Sequence, residues 1–165
     1  MKPQRKYTIE LYEEADSVNF YTIRFEGDEN TEFDKFISNF MGNKKFKEDL
    51  QKISYWIEKI GEKGALERYF RPESKTCDGV NAIPIDVSQL RLYCIRISDN
   101  ILILGNGGHK PHSQRTYNTD PHLNSCVEIL ANLDTYIKTR VSQKRITIVE
   151  KYISGDLTFY QRKYT

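Results

Sequence analysis

Apolar and polar residues alternate in two stretches near the start of the chain, residues 7–11 and 20–25. A period of two is typical of half-buried strands, and the turn-like residues between the stretches predict a β-hairpin. Further on, Thr31 precedes a short apolar pattern with helical spacing, and Gly42 follows it. We expect Thr31 to cap this helix and Gly42 to lie just past its end.

The clearest periodicity lies between Lys44 and Gly61. Apolar residues recur there at intervals of four and three, at Phe46, Leu50, Ile53, Ile57 and Ile60. This spacing places them along one side of a helix, which we expect to stop at Gly61. A helix with one apolar side packs on something, most simply on a sheet.

Three stretches predict a β-meander. Residues 80–86 are extended and carry Pro84, which is typical of a sheet edge or a bulge, and residues 90–97 and 101–104 follow as strands joined by a tight turn. The glycine-rich residues 105–108 are expected to end the last strand in a loop with unusual backbone angles.

Asp120 and Pro121 form a helix start, because an Asp cap is followed by Pro at the first position. The expected inner side of this helix consists of Leu123, Cys126, Val127, Leu130, Leu133 and Ile137. Two strand-like pieces, residues 146–153 and 157–160, end the chain, and residues 154–156 between them indicate a hairpin. The sequence therefore predicts an α+β fold in which two or three helices pack on a mainly antiparallel sheet.

Length and composition are those of one globular domain spanning residues 1–165. Hydrophobic residues make up 38% and charged residues 29% of the chain, which excludes a disordered protein. No apolar run approaches the roughly 18–20 residues that span a bilayer, and no apolar segment follows the charged start, so neither a membrane protein nor a secretory leader is expected. The three cysteines are widely spaced, which favours a reducing, cytoplasmic location.

Charge is unevenly distributed although the net charge is only +2. Residues 90–119 are basic, with Asp99 as their single acid, whereas residues 10–32 are acidic. A local basic surface is the usual form of phosphate affinity. The alternative is an ordinary solvated surface.

The order of elements is strand, helix pair, three-stranded meander, basic segment and helix. Residues 90–97, 101–104 and 107–110 resemble the RelE/ParE-type toxins of bacterial type II toxin–antitoxin systems, in which an arginine-bearing strand pairs with an apolar strand that ends in a basic segment. The helix at 44–60, followed by Arg-Tyr-Phe-Arg at 68–71, fits the helical pair of that family. The resemblance implies a RelE-like core with an added hairpin at each end.

Such a resemblance implies a growth-inhibiting toxin held inactive by a cognate antitoxin. In the ribosome-dependent branch these toxins cut mRNA, without a metal or another cofactor, through attack of a 2′-hydroxyl on the adjacent phosphate. Arginine and lysine suit the stabilisation of charge on the phosphate, and histidine or tyrosine suits the proton transfers.

The residues expected at the site are Arg91, His109 and Lys110 for catalysis and Arg71, His112, Arg115 and Tyr117 for RNA binding. Arg91 and Lys110 would stabilise charge, while His109 or His112 would move the proton. Tyr117 would offer a ring to a base, and Arg71 would close the site from the helix side or cap the preceding helix.

The chain departs from the family pattern in two motifs. The usual paired lysines are replaced by His109-Lys110, and the customary Glu-x-Arg is missing from residues 80–86. The alternative is therefore a non-catalytic interaction protein of the same fold, either a gyrase-directed ParE-type toxin or an inactive relative. Two further chemistries are less favoured by the sequence, namely a metal site formed by His109, His112 and His122, and a cysteine nucleophile.

Overall fold

A computed structural model describes residues 5–72, 79–83, 89–110 and 120–161. The strands are β1 (Arg5–Glu14), β2 (Asn19–Phe25), β3 (Arg71–Pro72), β4 (Val80–Ala82), β5 (Leu90–Ser98), β6 (Ile101–His109), β7 (Ile146–Val149), β8 (Tyr152–Gly155) and β9 (Thr158–Gln161). The helices are α1 (Glu32–Phe40), α2 (Lys47–Lys63) and α3 (Pro121–Ser142), with short 3₁₀ turns at Lys44–Phe46 and Glu67–Tyr69.

Seven strands form one sheet in the order β3-β4-β5-β6-β2-β1-β9, and β7 and β8 form a separate hairpin. Within the sheet β2 and β6 run parallel, while the other neighbouring strands run antiparallel. The predicted fold class, α+β with a mainly antiparallel sheet and packed helices, is confirmed.

The helices cover opposite faces of this sheet. Ile101 and Ile103 of β6 pack in the core beneath α3, whereas Leu102 and Leu104 pack in the core beneath α1 and α2. The predicted inner side of α3 is buried at every position. No described helix is both long enough and apolar enough to cross a bilayer.

The first hairpin and the start of α1 are as predicted. β1 pairs with β2, and the Thr31 side chain accepts a hydrogen bond from the Asp34 N–H while the Asp34 side chain binds the Thr31 N–H. This reciprocal capping box satisfies two of the N–H groups that a helix start leaves unpaired.

The apolar stripe of α2 packs on the sheet as predicted, but the predicted helix end is wrong. Ile53 and Ile60 are fully buried, and α2 continues through Gly61 to Lys63. A β-carbon at Gly61 would lie 2.8 Å from Cβ of Ala15, so this glycine permits close packing and does not terminate the helix. The terminating glycine is Gly64, whose φ is +117°.

The prediction of a loop at residues 105–108 is also wrong, because β6 runs through them to His109. A β-carbon at Gly107 would overlap the carbonyl oxygen of Arg91 on β5, and one at Gly105 would lie 2.8 Å from Leu130 of α3. These glycines allow other parts of the chain to approach the strand closely.

The tail differs from the predicted hairpin. β7 and β8 pair with each other around a turn at residues 150–151, and β9 leaves this hairpin to pair with β1, Phe159 lying opposite Tyr7. Phe159 is fully buried, with its ring stacked 5.6 Å from that of Tyr7. Burial of this aromatic ring draws the last strand into the main sheet.

Candidate functional site

The three residues predicted for catalysis lie where β5 begins and β6 ends. Arg91 is opposite Gly108 and Leu90 is opposite His109. Lys110 continues from His109, and its N–H donates a 2.6 Å hydrogen bond to the carbonyl oxygen of Gln89. The backbone positions of Arg91, His109 and Lys110 are therefore close together.

The side chains of Arg91 and His109 nevertheless belong to opposite faces of the sheet. A β-carbon at Gly108, the cross-strand neighbour of Arg91, would lie 3.1 Å from His122 of α3. The His109 ring lies instead 5.1 Å from the ring of Phe46, on the face covered by α1 and α2. Because opposed residues of paired strands share a face, Arg91 lies on the α3 face. Arg91 and His109, both expected at the site, therefore have their side chains on opposite faces of the sheet.

His109 packs beside the start of α2, between Phe46 and the side chain of Gln89. Its Nε2 lies 2.8 Å from the Gln89 side-chain oxygen. Burial lowers the pKa of His109, and the Lys45 ammonium lowers it further, while Asp49 opposes both. These surroundings favour the neutral imidazole, which packs on Phe46.

His122, in the first turn of α3, is the histidine on the Arg91 face. Its Nε2 lies 2.8 Å from the carbonyl oxygen of Gly107, which can only accept, so Nε2 carries a proton. The residue is exposed and next to the strand position opposite Arg91. The sequence pattern indicated His122 only as a metal ligand, although its spacing of four residues from the buried Cys126 could have placed it on the inward side.

Several predicted site residues fall where the structure gives no description. His112, Arg115 and Tyr117 lie outside the described residues. Arg71 contributes its backbone to β3, opposite Ala82, but its side chain is likewise outside the described part.

Neither a metal site nor a cysteine nucleophile finds support in the described residues. His109 and His122 lie on opposite faces of the sheet, so they do not approach a common metal ion, and no described group of three His, Cys, Asp or Glu residues could hold one. Cys94 and Cys126 are buried, and burial raises the pKa of Cys126 to about 12. A thiol with this pKa is protonated at neutral pH and is a poor nucleophile.

The arrangement offers two cationic residues, Arg91 and Lys110, at one end of the sheet, with His122 on the face of Arg91. Such a combination can bind a phosphate and move a proton. In comparisons with protein families, curated proteins and solved structures, nothing matched the chain.

Proposed function

We propose that the chain is the toxin of a type II toxin–antitoxin pair and a cytoplasmic, ribosome-dependent endoribonuclease that cuts mRNA. The observation that carries this proposal is the pairing of arginine-bearing β5 with apolar β6, whose end carries His109-Lys110. The element order supports it, because strand β2 is followed by α1 and α2, then by β4–β6, and then by α3.

In the proposed reaction an RNA 2′-hydroxyl attacks the neighbouring phosphorus, a new O2′–P bond forms and the P–O5′ bond breaks. Arg91 and Lys110 stabilise the negative charge that grows on the phosphate oxygens. His122 replaces His109 as the proposed proton carrier, since it is exposed on the Arg91 face. The proton leaves the 2′-oxygen, and a proton is delivered to the departing 5′-oxygen.

A second candidate function is supported by the position of His109. This residue takes the place of one of the family's paired lysines, yet it packs on Phe46, away from Arg91. A chain without a catalytic group at that position fits a non-catalytic toxin directed at gyrase, or an inactive relative that binds its target without cutting it.

The partner in this proposal is an antitoxin segment, and a groove between α1 and α2 supports it. The groove has a volume of about 710 Å³, and Met41 and Tyr55 at its lining are 68% and 59% exposed. Lys44 and Lys47 contribute cations to the same lining. An amphipathic antitoxin helix would bury its apolar side here and place acidic residues near the lysines.

Inducible expression, with and without a neighbouring short reading frame that encodes a DNA-binding protein, tests the function. We expect growth arrest that the neighbour relieves, together with new mRNA 5′ ends inside coding sequences. Changing Arg91 and Lys110 together to Ala should abolish both effects with little change in melting temperature. The control is Lys63→Ala, which removes a cation that is 61% exposed elsewhere on the chain.

Three results separate the candidate functions. Growth arrest without new 5′ ends, accompanied by loss of DNA supercoiling, would favour the gyrase-directed alternative. A fully toxic Arg91 and Lys110 double variant would contradict the site. A folded chain that leaves growth unchanged would contradict the toxin function.

A further inference from the structure

A polar cleft lies at the end of the main sheet, between the first turns of α1 and α3. Its volume is about 490 Å³, which is sufficient for a nucleobase. The polar lining comes from distant parts of the chain and includes Arg5, Glu32, Lys35, Asn106, His122 and Ser125.

Two buried polar side chains, Glu32 and Asn106, are the main feature of this cleft. Each is only 8% exposed. The Asn106 side-chain oxygen accepts a 2.7 Å hydrogen bond from the Gly107 N–H, which turns its Nδ2 toward Oε1 of Glu32 at 3.5 Å. This distance is at the outer limit of a hydrogen bond, so the contact is weak. Burial of a donor and an acceptor that are only weakly paired costs free energy. A ligand that forms good hydrogen bonds with both groups would offset this cost.

Glu32 forms an ion pair with Lys35, one turn further along α1. The Lys35 ammonium donates a 2.7 Å hydrogen bond to Oε2 of Glu32 and a 2.6 Å hydrogen bond to Asp28. Each carboxylate oxygen has two acceptor directions, so Oε2 can accept from a ligand as well as from Lys35. The cleft therefore presents a carboxylate acceptor beside an amide donor.

This pattern is complementary to one base edge in RNA. Guanine carries two adjacent donors, N1–H and N2–H, beside the O6 acceptor, so a carboxylate can take both donors while an amide N–H binds O6. Adenine has an acceptor at N1, and uracil and cytosine each place a carbonyl oxygen where the carboxylate would lie. We propose that the cleft is a guanine-binding subsite in which Glu32 binds N1–H and N2–H and Asn106 binds O6.

Two neighbouring side chains, Arg5 and His122, would also suit a guanine nucleotide bound in the cleft. The Arg5 guanidinium lies 4.0 Å above the Phe25 ring, and guanidinium groups are surfaces on which RNA bases stack. His122 lines the cleft and also lies next to Gly108, the residue opposite Arg91, where a β-carbon would be 3.1 Å from the His122 ring. The base in the cleft would thus belong to a nucleotide next to the bound phosphate, and this placement rests on the proposed function.

Binding of guanosine monophosphate to the purified full chain tests the subsite by calorimetry. We expect guanosine monophosphate to bind about tenfold more tightly than inosine monophosphate, because inosine lacks the N2–H donors that Glu32 would bind. Adenosine monophosphate and inorganic phosphate should not compete. Equal binding of guanosine and adenosine monophosphates, or no binding of the guanosine nucleotide, would overturn the proposal.

Glu32→Gln is the variant of choice, because glutamine has the same shape and replaces one acceptor by a donor. We expect it to weaken guanosine monophosphate binding at least about tenfold. Glu62→Gln, at a position 61% exposed, is the matched control and should bind like the wild type. Unchanged binding by a folded Glu32→Gln chain would contradict the role of Glu32. If Glu32→Gln does not fold, the inosine comparison on the wild-type chain decides the question.

The outcomes also separate this subsite from the proposed function. Growth arrest with new mRNA 5′ ends but without guanine selectivity would support the toxin function and contradict the guanine subsite. Selective guanine binding by a chain that does not arrest growth would keep the subsite and contradict the toxin. If both hold, Glu32→Gln should reduce the preference for guanine beside the mapped cut sites.

Discussion

The two faces of the main sheet are covered in different ways. On one face α3 lies with its whole predicted inner side buried, Leu130 being 1% exposed. On the other face α1 and α2 leave a groove between them, and Leu50 of α2 is half-buried at its lining. The α3 side is therefore the more tightly packed of the two faces, whereas the groove between α1 and α2 leaves apolar surface exposed.

The candidate site crosses this division. Arg91 and His122 belong to the α3 face, and His109 belongs to the face of α1 and α2. Arg91 and His109 belong to adjacent cross-strand pairs and yet have side chains on different faces, because successive side chains of a strand point to opposite faces. Substitutions on the two faces should therefore differ in their effect on stability.

Ile53→Asp is expected to have the largest effect. Ile53 lies on the buried side of α2 and is fully buried. A carboxylate there would lack a partner and should lower the free energy of unfolding by about 3–5 kcal/mol. Chemical denaturation measures the loss. Ser54→Asp, at the next and exposed position, should change stability little. Equal melting of Ile53→Asp and the wild type would show that α2 is not packed on the sheet.

The same Leu→Ala change in the two helices compares the faces directly. Leu130→Ala should lower the free energy of unfolding by about 3 kcal/mol, because it removes fully buried methyl groups and leaves a cavity. Leu50→Ala should cost about 1 kcal/mol, because Leu50 is half-buried at the groove. Urea denaturation of both variants measures the two losses in the free energy of unfolding. A larger loss for Leu50→Ala than for Leu130→Ala would show that the face covered by α1 and α2 is the more tightly packed one.

Gly105→Ala tests the close contact between β6 and α3. The added methyl would lie 2.8 Å from Cδ1 of Leu130, and we expect a loss of about 1–3 kcal/mol in the free energy of unfolding. Combined with Leu130→Ala, the loss should be smaller than the sum of the two single losses, because the shorter side chain makes room for the methyl. Strict additivity in a double-mutant cycle would contradict this contact.

The smallest expected effect is a change in pH dependence. Burial lowers the pKa of His109 in the folded chain, whereas the unfolded chain has the ordinary value of about 6.5. As the pH falls below about 6.5, the unfolded chain therefore takes up the proton first and the free energy of unfolding decreases. This contribution is present above the unfolded pKa and is lost as the pH falls through the folded pKa.

His109→Gln should remove that contribution, so thermal melts between about pH 7.5 and 5 should become less dependent on pH. Lys63→Gln, at an exposed position, should keep the wild-type dependence. If the melting temperature of His109→Gln depends on pH as strongly as that of the wild type, the His109 imidazole is exposed to solvent in the folded chain.

Local patterns in the sequence were sufficient for most elements. The first hairpin, the cap at Thr31, the stripe of α2 and the Asp120 start of α3 were all predicted, because each depends on residues within a few positions of one another. The tight turn before Ile101 indicated that β5 and β6 pair, but the register that brings Arg91 opposite Gly108 also depends on two irregularities, one between Leu92 and Cys94 and one between Arg96 and Ser98.

Glycines were the main source of error. A glycine ends a helix or strand where the backbone needs a positive φ, as at Gly64, but it also permits close packing, as at Gly61 and Gly105. The two uses look alike in a sequence. Which one applies depends on partners far along the chain, such as Leu130 for Gly105.

The helices and the antiparallel pairing of β5 with β6, which brings the backbones of Arg91 and Lys110 close together in space, could be predicted from the sequence, since they follow from local periodicity and one tight turn. Only the tertiary structure decided that β2 runs parallel to β6, that β9 joins β1, and that Glu32, Asn106 and His122 meet in one cleft. These contacts join residues far apart in the chain, and burial of side chains from both partners, not the pattern of either segment, selects them.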